Sequence, residues 1–216
     1  MTLIFHGHPL SSYCWKVLVA LHENGTPFEQ RLVNPGDPES RAAFAALAPL
    51  GKMPVLEDRA RGEVVAETSI IIDYLDAHHP GPIRFIPGEP DAARRVRLWD
   101  RICDLHVQTP MQKIVGDRLR PADKRDPYGV AEARTALAAA LAVVEQQAAA
   151  GTWLTGEAFT MADCAVLPAL YYADRVAPFG DRFPAASALL ERLKARPSVA
   201  RVLDEAGPYF QYFPAE

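Results

Sequence analysis

The chain has 216 residues, 49% of them hydrophobic, and a formal net charge of −4. Its 23 basic and 27 acidic residues show no strong basic clustering, which argues against a nucleic-acid surface. No apolar run approaches the ~20 residues of a membrane-spanning helix. The N-terminus lacks the basic start and apolar core of a signal peptide. Three cysteines, Cys14, Cys103 and Cys164, are too few for a disulfide framework and match no zinc spacing. The expectation is a soluble protein of the reducing cytoplasm.

Residues 1–79 read as a β-α-β-α-β-β-α unit. A short apolar strand covers 3–5. A helix covers 12–23, with Val17, Leu18 and Leu21 on one face, and Asn24-Gly25 ends it. Residues 28–33 alternate apolar and polar, as an outer strand does. Residues 34–40 are rich in Pro, Gly and Asp and predict a loop, followed by a short helix over 41–47. Residues 54–57 and 63–66 predict a hairpin around Arg61-Gly62. Glu67-Thr68-Ser69 then opens a helix through Ile70, Ile71, Tyr74 and Leu75 that ends before Pro80. The first two strands should be parallel and the last two antiparallel.

Residues 80–90, with Pro80, Pro82, Pro87 and Pro90, predict a linker. Beyond it, 91–216 reads as all-α. Trp99, Cys103, His106 and Val107 share a stripe that Pro110 should kink or break, and Met111, Ile114 and Val115 continue the face. Residues 126–150 form an amphipathic helix with Val130, Leu137, Leu141 and Val144 in register. Residues 159–177 are apolar nearly all round and predict the central buried helix, opened by Thr160 as N-cap and Asp163 at N3. A helix over 184–196 should stop at Pro197, with Ser198 capping a last short one. The tail 208–214 is aromatic and must lie on something.

The chemistry concentrates at His8-Pro9-Leu10-Ser11-Ser12-Tyr13-Cys14. A strand-to-helix turn places hydroxyls at a helix mouth, where unpaired N–H groups and a partial positive charge favour an anion: a thiolate, a carboxylate or a phosphate. Read alone, Ser11 or Ser12 is a plain helix cap, and Cys14 is a small buried residue of the first turn.

The order of elements and four local motifs resemble the cytosolic glutathione S-transferases, in which a thioredoxin-like N-terminal domain precedes an all-α helical-bundle domain. Ser11-Ser12-Tyr13-Cys14-Trp15-Lys16-Val17 resembles the zeta-class stretch Ser-Ser-Cys-Ser-Trp-Arg-Val, and also a glutaredoxin motif with serine in place of the first cysteine. Gly51-Lys52-Met53-Pro54-Val55-Leu56 is similar to the family's loop with a cis proline, although composition alone favours trans. Glu67-Thr68 resembles the Glu-Ser pair that holds the γ-glutamyl end of glutathione. Thr160-Met161-Ala162-Asp163 resembles the cap of the central helix in the second domain.

His6 and His8, a pair without a carboxylate partner, make a poor metal site, so no metal is expected. The resemblance implies glutathione as co-substrate. It implies that Ser11 stabilises the glutathione thiolate, with Ser12 as the alternative and Tyr13 as a third donor. Lys52 would pair with the glycine carboxylate, the Met53-Pro54 backbone would meet the cysteinyl part, and Glu67 and Thr68 would take the α-ammonium and α-carboxylate. The family's histidine for the glycine carboxylate falls on Glu39, which has the wrong charge, so Arg41 or a partner-chain residue would replace it. Tyr13, His106, Met111 and Phe210 would line an electrophile site between the domains. The implied activity is glutathione conjugation or glutathione-dependent isomerisation of the maleylacetoacetate type, in a homodimer. The alternative is a glutathione-transferase-like binding module without catalysis. A thiol oxidoreductase using Cys14 ranks last, because the first cysteine is missing.

Overall fold

The structure, a computed structural model, describes residues 2–214; Met1, Ala215 and Glu216, at the outer ends of the expected domains, lie outside them. The chain divides into two compact units. One holds the residues up to Ile86 together with Ser198–Phe210, and the other holds Pro87–Pro197 and the residues from Gln211 onward.

The first unit is built on a four-stranded sheet in the order β2-β1-β3-β4. Its strands are β1 (Leu3–Gly7), β2 (Glu29–Leu32), β3 (Val55–Asp58) and β4 (Glu63–Ala66). β2 runs parallel to β1, while β3 is antiparallel to both β1 and β4. Leu3, Ile4 and Phe5 are fully buried, as expected of a central strand covered on both faces, whereas every residue of β2 is exposed at the sheet edge. The helices are α1 (Ser12–Glu23), α2 (Pro38–Leu47) and α3 (Thr68–His78). This is the β-α-β-α-β-β-α order read from the sequence, and with the helical unit it is the thioredoxin-like plus all-α plan.

α1 ends at Asn24, and the following Gly25 has φ 59°, a conformation that costs a Cβ-bearing residue more. α2 begins at Pro38, earlier than position 41. Its Asp37 side chain accepts the Glu39 N–H at 3.1 Å, and a proline in the first helical turn sacrifices no hydrogen bond, so the Pro-rich stretch is a helix start rather than a loop. The buried carboxylate of Asp58 ties the hairpin to the end of α3, accepting from Tyr74 Oη at 2.9 Å and from His79 Nε2 at 2.7 Å.

The second unit is helical: α4 (Pro90–Ile102), a π-helical stretch (Cys103–Gln108), α5 (Thr109–Arg118), α6 (Pro127–Ala148), α7 (Met161–Val176) and α8 (Pro184–Lys194). The break expected at Pro110 is the π stretch just ahead of it. A proline has no N–H for the α-helical ladder and its ring crowds the carbonyl four residues back, and a wider turn relieves both. α7 is buried nearly all round. Its start carries the capping box: Asp163 accepts the Thr160 N–H and the Leu154 N–H, each at 2.8 Å.

Pro197 does not simply stop α8. It is the first residue of a ten-residue helix, α9 (Pro197–Ala206), followed by a 3-10 turn (Gly207–Tyr212). α9 packs in the first unit, where Ser198 Oγ donates to Glu23 and His22 Nε2 lies 3.6 Å from Glu205.

Candidate active site

Sheet register decides which loops meet. His6 of β1 pairs with Val55 of β3, and Val55 pairs with Ala66 of β4. The end of β1, the start of β3 and the end of β4 therefore lie side by side at one edge of the sheet. The segments leaving that edge are 8–11, 51–54 and the Glu67 junction, which carry Ser11, Lys52-Met53-Pro54 and Glu67-Thr68.

Ser11 is the N-cap of α1. Its backbone is extended (φ −77°, ψ 117°) and its Oγ accepts the Cys14 N–H at 3.3 Å. Capping uses an oxygen lone pair and not the hydroxyl hydrogen, and the same hydroxyl is also within hydrogen-bond reach of the Cys14 sulfur. No acidic residue lies in the first turn of α1, so no internal anion neutralises its positive end. Ser12 is the first helical residue and is buried; Tyr13 is half-buried.

Close packing of β1 against α1 holds this turn. A Cβ on Gly7 would lie 2.6 Å from Cys14 Sγ and 2.7 Å from the Phe5 ring. Cys14 is fully buried. Burial pushes its thiol up to about 11, against the opposing hydrogen bonds with Ser11 and the His8 N–H. It is a neutral packing group, and a redox role through a thiolate has no support.

The Met53-Pro54 peptide is cis. Met53 lies outside the strand ladder, which begins at Val55, and its side chain packs against the small core of Val33, Phe44, Ala48 and Val55. Lys52 is exposed in the loop beside it. Glu67 has φ 67° and ψ 120° and, among the described residues, is the one non-glycine with positive φ. Such a conformation costs about 1–3 kcal/mol and collects at functional sites. The Glu67 side chain makes no capping hydrogen bond and α3 has no acid in its first turn, so its own N-cap residue does not take up the first N–H groups of α3. Thr68 is the first, buried residue of α3.

Two connections were not legible from the sequence. Lys16 of α1 has no exposed surface, and its ammonium donates to Ser69 Oγ of α3 at 3.1 Å. A lysine within the otherwise apolar Trp15–Val17 turn was the available signal. The second is His8, whose Nδ1 accepts the Leu10 N–H at 3.1 Å.

The remaining candidates are spread over both units. Glu39 is exposed in the first turn of α2, and the Arg41 guanidinium donates to the Pro35 carbonyl at 2.6 Å. In the first unit Phe210 meets the Trp15 ring edge-on, with centroids 6.0 Å apart. In the second, Met111 is buried in the helical core, and exposed His106 lines a groove between the π stretch, α5 and α6 together with Ile102, Lys113 and Ala136. Among the described residues, no group of three or more His, Cys, Asp or Glu is arranged to hold a metal.

Comparison with known proteins adds three likenesses. A glutathione S-transferase from Pseudomonas putida is 28% identical over 93% of this chain and 91% of its own. A probable maleylacetoacetate isomerase from Vibrio cholerae is 28% identical over 96% and 98% respectively. The crystal structure of a glutathione S-transferase from Methylobacillus flagellatus, with GSH bound, superposes with a TM-score of 0.85 at 26% identity, covering 93% of this chain and 98% of that one. Residues 5–83 match the family model for the glutathione S-transferase N-terminal domain and residues 127–205 that for the C-terminal domain, so with both halves in order on this fold the chain belongs to the glutathione S-transferase superfamily.

Proposed function

We propose that this protein is a glutathione transferase that holds the tripeptide across the sheet edge carrying the 8–11, 51–54 and Glu67 segments, with its sulfur at the mouth of α1. The observation that carries the reading is the convergence of these three segments through the His6–Val55–Ala66 register. In this reading the Ser11 hydroxyl donates to the thiolate. The Met53 backbone pairs with the cysteinyl residue. Glu67 takes the α-ammonium, Thr68 and the α3 N-terminus take the α-carboxylate, and Lys52 takes the glycine carboxylate.

A free thiol has a pKa of about 8.5 and is mostly protonated at neutral pH. A hydroxyl donor and a helix N-terminus both favour the anion, each unit of lowering being worth about 1.36 kcal/mol. The sulfhydryl proton leaves to solvent. The thiolate sulfur then bonds to an electrophilic carbon, and the leaving group departs with its electron pair. In an isomerisation the same sulfur adds to a double bond and is later expelled. The likeness to the Vibrio cholerae probable maleylacetoacetate isomerase favours a substrate of that second kind. The same reading makes the protein a homodimer of the cytoplasm. No helix among the described residues is long and apolar enough to cross a membrane.

Ultraviolet difference spectroscopy of the protein titrated with glutathione tests this. A thiolate band at neutral pH that disappears in Ser11→Ala, with the fold intact, is the expected result. Turnover surviving in both Ser11→Ala and Ser12→Ala would refute the assignment.

A further inference from the structure

A hydroxyl that stabilises a thiolate must be held within a fraction of an ångström of its target. Ser11 sits at the end of a short loop between β1, which ends at Gly7, and α1, which begins at Ser12. One residue of that loop holds it from four directions. The His8 carbonyl accepts the Ser11 N–H at 2.9 Å, and the His8 N–H points at Cys14 Sγ at 3.4 Å. Its ring Nδ1 accepts the Leu10 N–H at 3.1 Å. The same ring meets Tyr209 in a T-shaped contact, with centroids 5.3 Å apart and planes at 76°.

The neighbouring residue is tied the same way. The Pro9 carbonyl accepts the Trp15 Nε1–H at 2.5 Å, and Trp15 meets Phe210 edge-on. Consecutive residues of the loop are thus anchored, directly or through one ring, to consecutive residues of the 3-10 turn, all within the first unit. An Nδ1 that accepts a hydrogen bond belongs to a neutral imidazole with its proton on Nε2. Partial burial lowers the pKa of His8 from its ordinary value, in keeping with that state.

We propose that His8 is a positioning residue for Ser11: its unprotonated Nδ1 closes the turn over Leu10, and Tyr209 of the C-terminal turn clamps its ring, so that the Ser11 hydroxyl faces the glutathione sulfur. The proposal rests on the reading of Ser11 given above. It assigns the aromatic tail a task, which is to keep the first loop still.

The test compares His8→Leu, which keeps bulk and removes the acceptor, with His8→Asn, whose side-chain oxygen can accept the N–H two residues on. The readouts are the thiolate band of bound glutathione, kcat and the glutathione KM taken separately, and hydrogen exchange at the Leu10 and Ser11 amides. His8→Leu should raise exchange at both amides, shrink the thiolate band and lower kcat about 10- to 100-fold, as a displaced catalytic group does. The KM should hold, and His8→Asn should recover most of the loss. An unchanged thiolate band and kcat in His8→Leu, with only the melting temperature lowered, overturns the proposal.

If the wild-type protein shows no thiolate band, the reading of Ser11 has failed, and exchange alone decides the clamp: raised exchange in His8→Leu supports it and unchanged exchange overturns it. Should His8→Leu not fold, Tyr209→Ala takes its place, with faster exchange at Leu10 and Ser11 expected and unchanged exchange refuting the clamp.

Discussion

Lys16 of α1 and Ser69 of α3 are joined by a hydrogen bond of 3.1 Å whose donor is a lysine with no exposed surface. The bond links the helix that Ser11 caps to the helix that Glu67 opens, so it fixes the spacing of two helix N-termini. A charge withdrawn from water depends strongly on each of its partners. Ser69→Ala should lower stability by about 2 kcal/mol, the range for hydrogen bonds to charged groups, and should weaken glutathione binding. Urea unfolding and calorimetric titration measure the two effects.

Capping and chemistry at Ser11 separate in one substitution. Ser11→Asp keeps an acceptor for the Cys14 N–H, and aspartate caps helices as well as serine does, so stability should stay within about 0.5 kcal/mol of wild type. The carboxylate has no hydrogen to donate at neutral pH and repels an anion, so the thiolate band should vanish. Ser11→Ala should lose both, with about 1 kcal/mol of stability gone. Stability curves and ultraviolet titration on the same samples make the comparison.

The Glu67 backbone predicts a trade of stability against binding. Glycine adopts a φ of 67° without the Cβ clash, so Glu67→Gly should gain about 1 kcal/mol, the strain relieved exceeding the extra freedom of the unfolded chain. The carboxylate is lost, and the KM for glutathione should rise about tenfold, equivalent to about 1.4 kcal/mol. Chemical denaturation and steady-state kinetics read these out. A loss of stability would show that the turn is held for another reason.

Asp163 gives the helical unit a pH dependence of known sign. Burial raises its carboxyl to about 6, against the hydrogen bonds from Leu154 and Thr160 that favour the anion. A folded pKa above the unfolded value of 3.8 means that the native state binds the extra proton in between. The stabilisation linked to that proton is present in full below the unfolded value and is lost as pH rises through about 6. Asp163→Asn should flatten this slope, at a cost of about 1 kcal/mol from the damaged cap. Urea midpoints followed from about pH 4 to 6 are the measurement.

Cys14 should resist alkylation in the native protein, because its thiol is buried and pushed up to about 11. Cys14→Ala should leave glutathione turnover within about threefold of wild type, the main cost being a small cavity beside Gly7. Mass spectrometry after alkylation, with and without denaturant, checks accessibility.

Much of the local structure is written in neighbouring residues. The apolar period of α1, the Asn24-Gly25 stop and the Thr160–Asp163 box each depend on side chains a few positions apart, and each appears where the pattern puts it. Pro38 starts a helix where the Pro-rich stretch predicts a loop, because a proline in a first turn costs no hydrogen bond. α8 ends ahead of Pro197 and the short last helix follows as the sequence predicts, starting at Pro197 rather than after a Ser198 cap.

What only the tertiary structure decided is the company each residue keeps. The positive φ of Glu67, the Lys16–Ser69 bond across 53 positions, and the rings of Tyr209 and Phe210 set against His8 and Trp15 all join segments far apart in the chain. Sheet register and close packing choose such partners by the fit of whole elements, and no short stretch of sequence contains that fit.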